Sequence, residues 1–210
     1  MFKIETPFRM IIAGPSMSGK SVFISKLIKE NEKLFEKPPR EIYYCYRIWQ
    51  TIYDKIKEEM PYVHFIQNFE ILENLKSNSF VIFDDLATHM EKYSEKLLDL
   101  WTVESHHMNI SVILVLHNLF QQTKSIRTIS LNTNIFVLFR QARDQSSITA
   151  LGKQMFQGNA RYLLERYKMA TDKPLGFLFI NLNSKDRNLM LTSNIFEKEA
   201  KVYLPHALKK

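Results

Sequence analysis

Residues 14–21 have the sequence Gly-Pro-Ser-Met-Ser-Gly-Lys-Ser and could bind a chain of phosphates. This is the pattern of a phosphate-binding loop. Its glycines allow a tight turn whose backbone N–H groups face an anion. Lys20 can reach the β- and γ-phosphates of ATP, and the Ser21 hydroxyl can bind Mg²⁺. We expect the nucleotide contacts to come from Gly14, Pro15, Ser16, Met17, Ser18, Gly19, Lys20, Ser21 and Val22.

Two aspartates follow the apolar run at 80–83 and could serve phosphoryl chemistry. Such chemistry needs a carboxylate near the magnesium shell, and hydrolysis needs a group that orients water. We predict that Asp84 belongs to the Mg²⁺ coordination sphere through water, beside Ser21 as a metal ligand. Asp85 is then the catalytic base or orienter of the attacking water. Alternatively, an acidic pair after a strand can simply cap the next helix.

His117 and Asn118 follow another apolar run, at 110–116. At the end of a strand, either side chain could sense the γ-phosphate or help to place the attacking water. We take Asn118 as the catalytic candidate of the two. The alternative is a pair of hydrogen-bonded residues at an ordinary strand terminus.

Three arginines, at positions 127, 140 and 143, flank the next predicted strand. An arginine that reaches the γ-phosphate of a neighbouring subunit would stabilise charge in the transition state. Each of the three is a candidate for that role. The same side chains could equally line a DNA channel or form surface ion pairs with Asp144.

The motifs must be positioned by elements that alternate between strand-like and helix-like segments, which favours a parallel sheet covered by helices. The apolar patterns predict strands at 8–13, 42–46, 63–66, 80–83, 110–116, 135–139, 175–181 and 187–192. They predict helices at 20–35, 50–60, 69–76, 95–106 and 144–169, the last divided by Gly152 or Gly158. The predicted fold is α/β, a P-loop NTPase with a central, mainly parallel sheet flanked by helices. We expect one P-loop ATPase domain over residues 1–210, with a small C-terminal strand and tail element at about 175–210.

Charge is unevenly distributed along the chain. Residues 1–105 carry 14 Lys and Arg against 16 Asp and Glu, whereas residues 106–210 carry 15 against 6. A basic half suggests a polyanionic partner such as nucleic acid, although a solvated basic surface is the plainer interpretation. The single cysteine, Cys45, rules out an internal disulfide, and no segment has the signature of a signal peptide or membrane span. We expect a soluble intracellular protein that does not associate with membranes.

Several features together resemble the genome-packaging ATPases of large DNA viruses, virophages and Polinton-like elements, in the FtsK–HerA superfamily. They are the phosphate loop, the Asp84-Asp85 strand end, the His117-Asn118 strand end, Ile126-Arg127 and the asparagine-bearing strand at 132–139. The resemblance implies an ASCE, RecA/FtsK-like fold and a ring, pentameric or hexameric, that pumps double-stranded DNA into a capsid. It also implies an arginine that acts between subunits, for which Arg127 and Arg140 are the nearest positional candidates, and a virus-associated protein of the host cell cytoplasm or nucleus. Many members have glutamate where this chain has Asp85, and aspartate is one methylene shorter.

The leading hypothesis is therefore an ATP-hydrolysing motor that translocates double-stranded DNA and packages a viral genome. An alternative is a small-molecule kinase, with residues 140–143 as an arginine-bearing lid. A further alternative is an assembly protein in which ATP only switches the oligomeric state. The absence of an Asn/Thr-Lys-x-Asp segment disfavours guanine, so ATP is the expected nucleotide.

Overall fold

Short buried segments, rich in β-branched and aromatic residues, form a β-sheet at the centre of the molecule. The computed structural model describes residues 3–67, 69–86, 92–119, 124–156 and 159–204. Within these ranges the strands are β1 (Arg9–Ala13), β2 (Glu41–Tyr46), β3 (Val63–Gln67), β4 (Ser79–Asp84), β5 (Ser111–Leu116), β6 (Ile135–Phe139), β7 (Phe177–Asn181), β8 (Leu191–Ser193) and β9 (Lys201–Val202). The helices are α1 (Lys20–Lys29), α2 (Asn31–Leu34), α3 (Thr51–Glu59), α4 (Ser94–Asp99), α5 (Ser105–His107), α6 (Lys124–Leu131), α7 (Ser146–Met155) and α8 (Ala160–Ala170). A π-helical turn, Leu100–Glu104, joins α4 to α5.

All of these strands belong to one sheet, in the order β3-β2-β4-β5-β1-β6-β7-β8-β9. The first six in that order pair in parallel, and β7, β8 and β9 extend the sheet antiparallel beyond β6. The carboxyl ends of β1, β4, β5 and β6 therefore lie along the same edge, which is where ligands bind in open α/β sheets. The structure confirms the predicted α/β fold with a central, mainly parallel sheet.

Side chains alternate between two hydrophobic cores, one on each face of the sheet. Along β1, Ile11 and Ala13 face one core, while Met10 and Ile12 face the other. The first core is covered by α4, α6, α7 and α8, and the second by α1 and α3. Parallel strands buried on both faces are expected to be continuously apolar, as β5 is from Val112 to Leu116.

The predicted helix at 20–35 is wrong in one respect, because it ends at Lys29 and a separate short helix follows. Asn31 causes the break: its side-chain amide donates to the carbonyl of Ile28 at 2.6 Å and satisfies an end carbonyl of α1. Phe35 then pairs with Ile4 as an isolated bridge, which requires extended backbone there.

The predicted helix at 69–76 is also wrong, since only a short 3₁₀ turn, Glu70–Glu73, forms. The ring of Phe69 is buried and stacks on Phe83, which fixes the chain over β4. From there the backbone must extend to reach the start of β4 at Ser79.

Other elements also differ from the sequence predictions. The segment predicted as a strand at 187–192 forms a 3₁₀ turn, Arg187–Leu189, before the short strand β8. Helix α6 and strand β9 were not predicted. The helix at 144–169 is divided, as predicted, since α7 ends at Met155 and α8 begins at Ala160. Gly152 remains inside α7, where the backbone of Ala160 would lie 3.0 Å from an added Cβ, and Gly158 lies outside the described residues.

The predicted C-terminal element corresponds to β7, β8 and β9, which extend the same sheet rather than forming a separate layer. Residues 205–210, at its end, lie outside the described residues. One domain over the whole chain stays a prediction. Among the residues that the structure describes, no helix has both the length and the apolar character needed to span a bilayer.

Candidate functional site

The phosphate loop connects the end of β1 to the start of α1. Met17 and Gly19 adopt left-handed backbone conformations, with φ angles of 63° and 108°. A Cβ added to Gly14 would lie 2.6 Å from the Cβ of Phe139, and one added to Gly19 would lie 2.9 Å from the side chain of Leu175. Close packing against Phe139 therefore requires glycine at position 14, and the left-handed backbone favours glycine at position 19.

A buried hydroxyl in this loop fits an anionic ligand. Ser18 Oγ is buried and has no hydrogen-bond partner among the described residues. Buried hydroxyl groups are normally hydrogen-bonded, so an orphaned one at a helix N-terminus indicates a site for an acceptor such as phosphate oxygen. The cradle of glycines and this free donor fit the triphosphate of ATP.

Lys20 lies at the first position of α1, with its ammonium group against the loop. Its Nζ donates hydrogen bonds to the carbonyl oxygens of Gly14 (2.7 Å) and Pro15 (2.8 Å). Burial lowers the pKa of Lys20, whereas the negative charges of Asp84 and Asp85 act to raise it. The two aspartates and the lysine thus interact electrostatically in one site.

Asp84 is the last residue of β4 and is almost completely buried. Its Oδ2 accepts hydrogen bonds from the hydroxyl groups of Tyr44 (2.7 Å) and Tyr53 (2.9 Å). Burial raises the pKa of Asp84 above its ordinary value, against the opposing effects of the two hydroxyls and of Lys20.

Ser21, the other predicted metal ligand, lies one residue after Lys20 and donates from Oγ to Gln50 Oε1 at 3.4 Å. A serine hydroxyl and a carboxylate are hard oxygen donors of the kind that Mg²⁺ prefers. Ser21 and Asp84 therefore fit a magnesium ion that arrives with ATP. Val22, in the same turn of α1, is exposed.

Asp85 follows β4 immediately and has a left-handed backbone conformation, with φ of 56°. Its Oδ1 lies 3.1 Å from Nε2 of His117, which follows β5. Both side chains are close to half exposed, at 42% and 45% respectively. A partly solvated carboxylate next to the phosphate loop can accept a proton from water, and the imidazole can hold its orientation.

Asn118 belongs to a hydrogen-bonded connection between two strand ends. Its Oδ1 accepts from Gln141 Nε2 at 2.9 Å, and the backbone N–H of Gln141 donates to Tyr167 Oη at 2.6 Å. The Tyr167 hydroxyl in turn donates to the carbonyl oxygen of Phe139. Asn118 is thereby fixed to the segment after β6.

That segment, residues 140–144, forms one wall of a cleft of about 1030 Å³ beside the phosphate loop. Pro15, Met17 and Ser18 line a second wall, and residues 172–176 line a third. Arg140 and Arg143 are exposed and line this cleft together with the loop. Residues 140–143 form a short connection between β6 and α7 and not a lid of their own.

Arg127 lies elsewhere, exposed on α6 and outside the residues that line the cleft. The structure thus brings Arg140 to the nucleotide side of its own chain but leaves Arg127 away from it. Which arginine acts between subunits stays a prediction.

Four residues near the site escaped prediction: Tyr44, Tyr53, Gln50 and Gln141. Tyr44 and Tyr53 come from β2 and α3, and Asp84 is 40 and 31 positions away from them in the sequence. The aromatic run at 43–46 indicated a strand, but a tyrosine in a strand is most often core. Only the pairing of β2 with β4 reveals the contact with Asp84.

A family assignment agrees with this geometry. The model of the family described as poxvirus A32 protein matches residues 3–172. This chain belongs to the poxvirus A32 protein family. The match includes the phosphate loop, both aspartates and all of the candidate catalytic residues. No curated protein sequence matches this member of the poxvirus A32 family.

Solved structures resemble this A32-family chain over nearly its whole length. B204, the DNA-packaging ATPase from Sulfolobus turreted icosahedral virus, is 15% identical, with a TM-score of 0.61 over 96% of this chain and 99% of B204. The genome-packaging NTPase B204 from Sulfolobus turreted icosahedral virus 2, in complex with AMPPCP, is 13% identical, with a TM-score of 0.61 over 95% and 98%. The conjugation coupling protein TcpA of pCW3, with ATPγS, is 15% identical, with a TM-score of 0.51 over 85% of this chain and 58% of TcpA. At these identities the likeness establishes the P-loop fold.

Proposed function

We propose that this protein is an ATP-hydrolysing motor that translocates double-stranded DNA and packages a viral genome into a capsid. The observation that carries the proposal is the convergence of the phosphate-loop lysine with Asp84 and Asp85 at one sheet edge, in a chain of the poxvirus A32 family. The B204 structures, which are described as packaging ATPases and NTPases and include nucleotide-analogue complexes, support it.

Each residue of the site has a distinct task in hydrolysis. The loop N–H groups and Lys20 would bind the β- and γ-phosphates, and Ser21 and Asp84 would hold the magnesium ion that accompanies ATP. A bound Mg²⁺ offsets negative charge on the phosphates. Asp85 accepts the proton of the attacking water, while His117 holds its carboxylate in place. Asn118 keeps the end of β5 fixed against the cleft wall at Gln141.

The partners follow from the charge of the chain and from its family. We propose that the basic half, residues 106–210, contributes the contacts to the phosphates of double-stranded DNA. A homo-oligomeric ring of five or six subunits would surround the duplex, and capsid proteins would receive it. In this ring Arg127 is the stronger candidate to reach a neighbouring nucleotide, because it lies exposed outside its own cleft. The protein would act in the infected host cell, in association with the virus.

The first test is the rate of phosphate release from ATP, measured with and without duplex DNA. Wild-type turnover should rise when DNA is added, and Lys20→Ala should abolish it in both conditions. A matched control is Lys29→Ala, which removes a surface ion pair with Glu59 from the same helix and should not change turnover. Turnover that ignores DNA would contradict the motor, and transfer of phosphate to a small molecule would indicate a kinase.

A further inference from the structure

The carboxylate of Asp84, the predicted magnesium ligand, accepts hydrogen bonds from hydroxyl groups on two separate elements. Tyr44, on β2, and Tyr53, in the first turn of α3, both donate to the same oxygen, Oδ2 of Asp84. Both hydrogen bonds that the described residues make to this side chain fall on that oxygen.

The strand register explains why the hydroxyls meet at this carboxylate. Tyr44 pairs with Ile82, and Tyr46 pairs with Asp84, in the parallel ladder between β2 and β4. Side chains at positions separated by two share a face of the sheet, so Tyr44 and Asp84 point to the same side. This is the side covered by α1 and α3, which places Tyr53 within reach of the carboxylate.

Both donors are themselves rigidly held. Tyr44 and Tyr53 are completely buried, and their ring centroids lie 4.9 Å apart. Each ring also packs on Phe65, at 5.1 and 5.4 Å. A hydroxyl on a fixed aromatic ring loses little conformational entropy when it donates, so these hydrogen bonds are formed in advance of any ligand.

The same junction supports the other predicted metal ligand. Gln50, immediately before α3, accepts the hydroxyl hydrogen of Ser21, and Tyr53 lies three residues further along. Outer groups that orient metal ligands commonly change metal affinity when they are removed. Residues 50–53 thus contact both predicted metal ligands, Ser21 through Gln50 and Asp84 through Tyr53.

We infer that Tyr44 and Tyr53 are positioning residues that fix the Asp84 carboxylate for the magnesium ion bound with ATP. The inference rests on the proposed nucleotide site but not on DNA translocation. It concerns the affinity for the metal rather than the affinity for the nucleotide, because neither tyrosine belongs to the phosphate loop.

The test is the binding of Mn²⁺, a paramagnetic substitute for Mg²⁺, followed by electron paramagnetic resonance in the presence of AMPPCP. Tyr44→Phe and Tyr53→Phe each retain the ring and remove one hydroxyl. Each should weaken Mn²⁺ binding by about tenfold, and the double variant should weaken it further. AMPPCP binding in EDTA should stay unchanged in all of them.

Tyr62→Phe is the matched control. Its hydroxyl accepts a hydrogen bond from the Asn31 amide and donates one to the carbonyl of Ile28. It lies next to the start of β2, at the end of that strand away from Asp84. Tyr62→Phe should bind Mn²⁺ as the wild type does, although it too loses hydrogen bonds. Thermal unfolding of each variant separates a general loss of stability from a local effect at the carboxylate.

Two results would overturn the inference and leave the nucleotide site in place. One is wild-type Mn²⁺ affinity in the double variant, and the other is an equal loss of affinity in Tyr62→Phe. Failure of the proposed function is distinguishable, because it would appear as a wild-type protein that binds no Mn²⁺ with AMPPCP. That outcome would overturn the nucleotide site and, with it, the inference.

Discussion

Asp85 Oδ1 and His117 Nε2 lie 3.1 Å apart, and the two residues directly follow the neighbouring strands β4 and β5. The contact joins two strand ends at the edge of the sheet where the phosphate loop lies. Asp84, one residue earlier, is buried beneath two tyrosines, whereas Asp85 is partly solvated. Adjacent carboxylates therefore have different environments, which supports separate roles for them in metal positioning and in proton transfer.

Asp85→Asn should stop hydrolysis while preserving nucleotide binding. The amide keeps the size of the side chain but cannot accept a proton, and the loss of a general base costs at least about 100-fold in rate. Phosphate release and binding of a fluorescent ATP analogue measure the two properties separately. Turnover at the wild-type rate would remove Asp85 from its proposed role.

His117→Ala should lower the rate of hydrolysis by less than Asp85→Asn, by under about 100-fold, because the base is retained but no longer oriented. KM for ATP should change little, since the imidazole is assigned to the carboxylate and not to the phosphates. His107→Ala, at an exposed position in α5, is the control. A loss of ATP affinity without a loss of maximal rate would show that His117 binds nucleotide instead.

Asp144→Ala should destabilise the fold in a pH-dependent way. Asp144 accepts the backbone N–H of Ser147 at 3.1 Å and the Ser146 and Ser147 hydroxyls, and it precedes a helical Gln145, so it caps α7. These hydrogen bonds, led by that of Ser146, hold the pKa of Asp144 below its ordinary value. Its contribution is therefore present above the unfolded-state pKa and is lost as the pH falls through the folded-state pKa.

Urea unfolding checks this expectation. Asp144→Ala should lower the free energy of unfolding by about 1 kcal/mol at neutral pH. The difference in unfolding free energy between wild type and variant should shrink on acidification to about pH 3, which is below the ordinary aspartate pKa of about 3.9. Asp172→Ala, at an exposed position in the same cleft, should change stability by less than about 0.5 kcal/mol. A pH-independent loss in Asp144→Ala would contradict the capping role of the carboxylate.

If Arg127 acts between subunits, mixing Arg127→Ala protein with a second inactive variant, Lys20→Ala, should restore ATP hydrolysis. In a mixed ring, Lys20→Ala subunits supply intact Arg127, and Arg127→Ala subunits supply intact phosphate loops. Mixing the two should therefore restore phosphate release that neither has alone, because a trans arginine contributes about 10³-fold or more. Arg140→Ala provides the comparison. No recovery on mixing would place the essential arginine elsewhere.

The parts of the site that could be predicted from sequence are those encoded by neighbouring residues. Residues 14–21 and the pair at 84–85 each form a local pattern, and the chemistry of that pattern restricts the residue types. The hydrogen bonds from Tyr44 and Tyr53 to Asp84 could not be predicted, because they depend on the register of β2 against β4 and on the packing of α3. The fold was predictable where apolar runs were uninterrupted, as in β5. The fold was not predictable where a single contact determines the end of an element, as the Asn31 hydrogen bond does at the end of α1.

The most direct test of the motor is ATP-driven displacement of a fluorescent third strand from a triplex on linear duplex DNA. A translocating protein should release the third strand only with ATP, and after a delay that grows with the length of duplex it must travel. Asp85→Asn, which should bind ATP without hydrolysing it, should release none. Wild-type protein that hydrolyses ATP in the presence of DNA but never displaces the third strand would contradict the account.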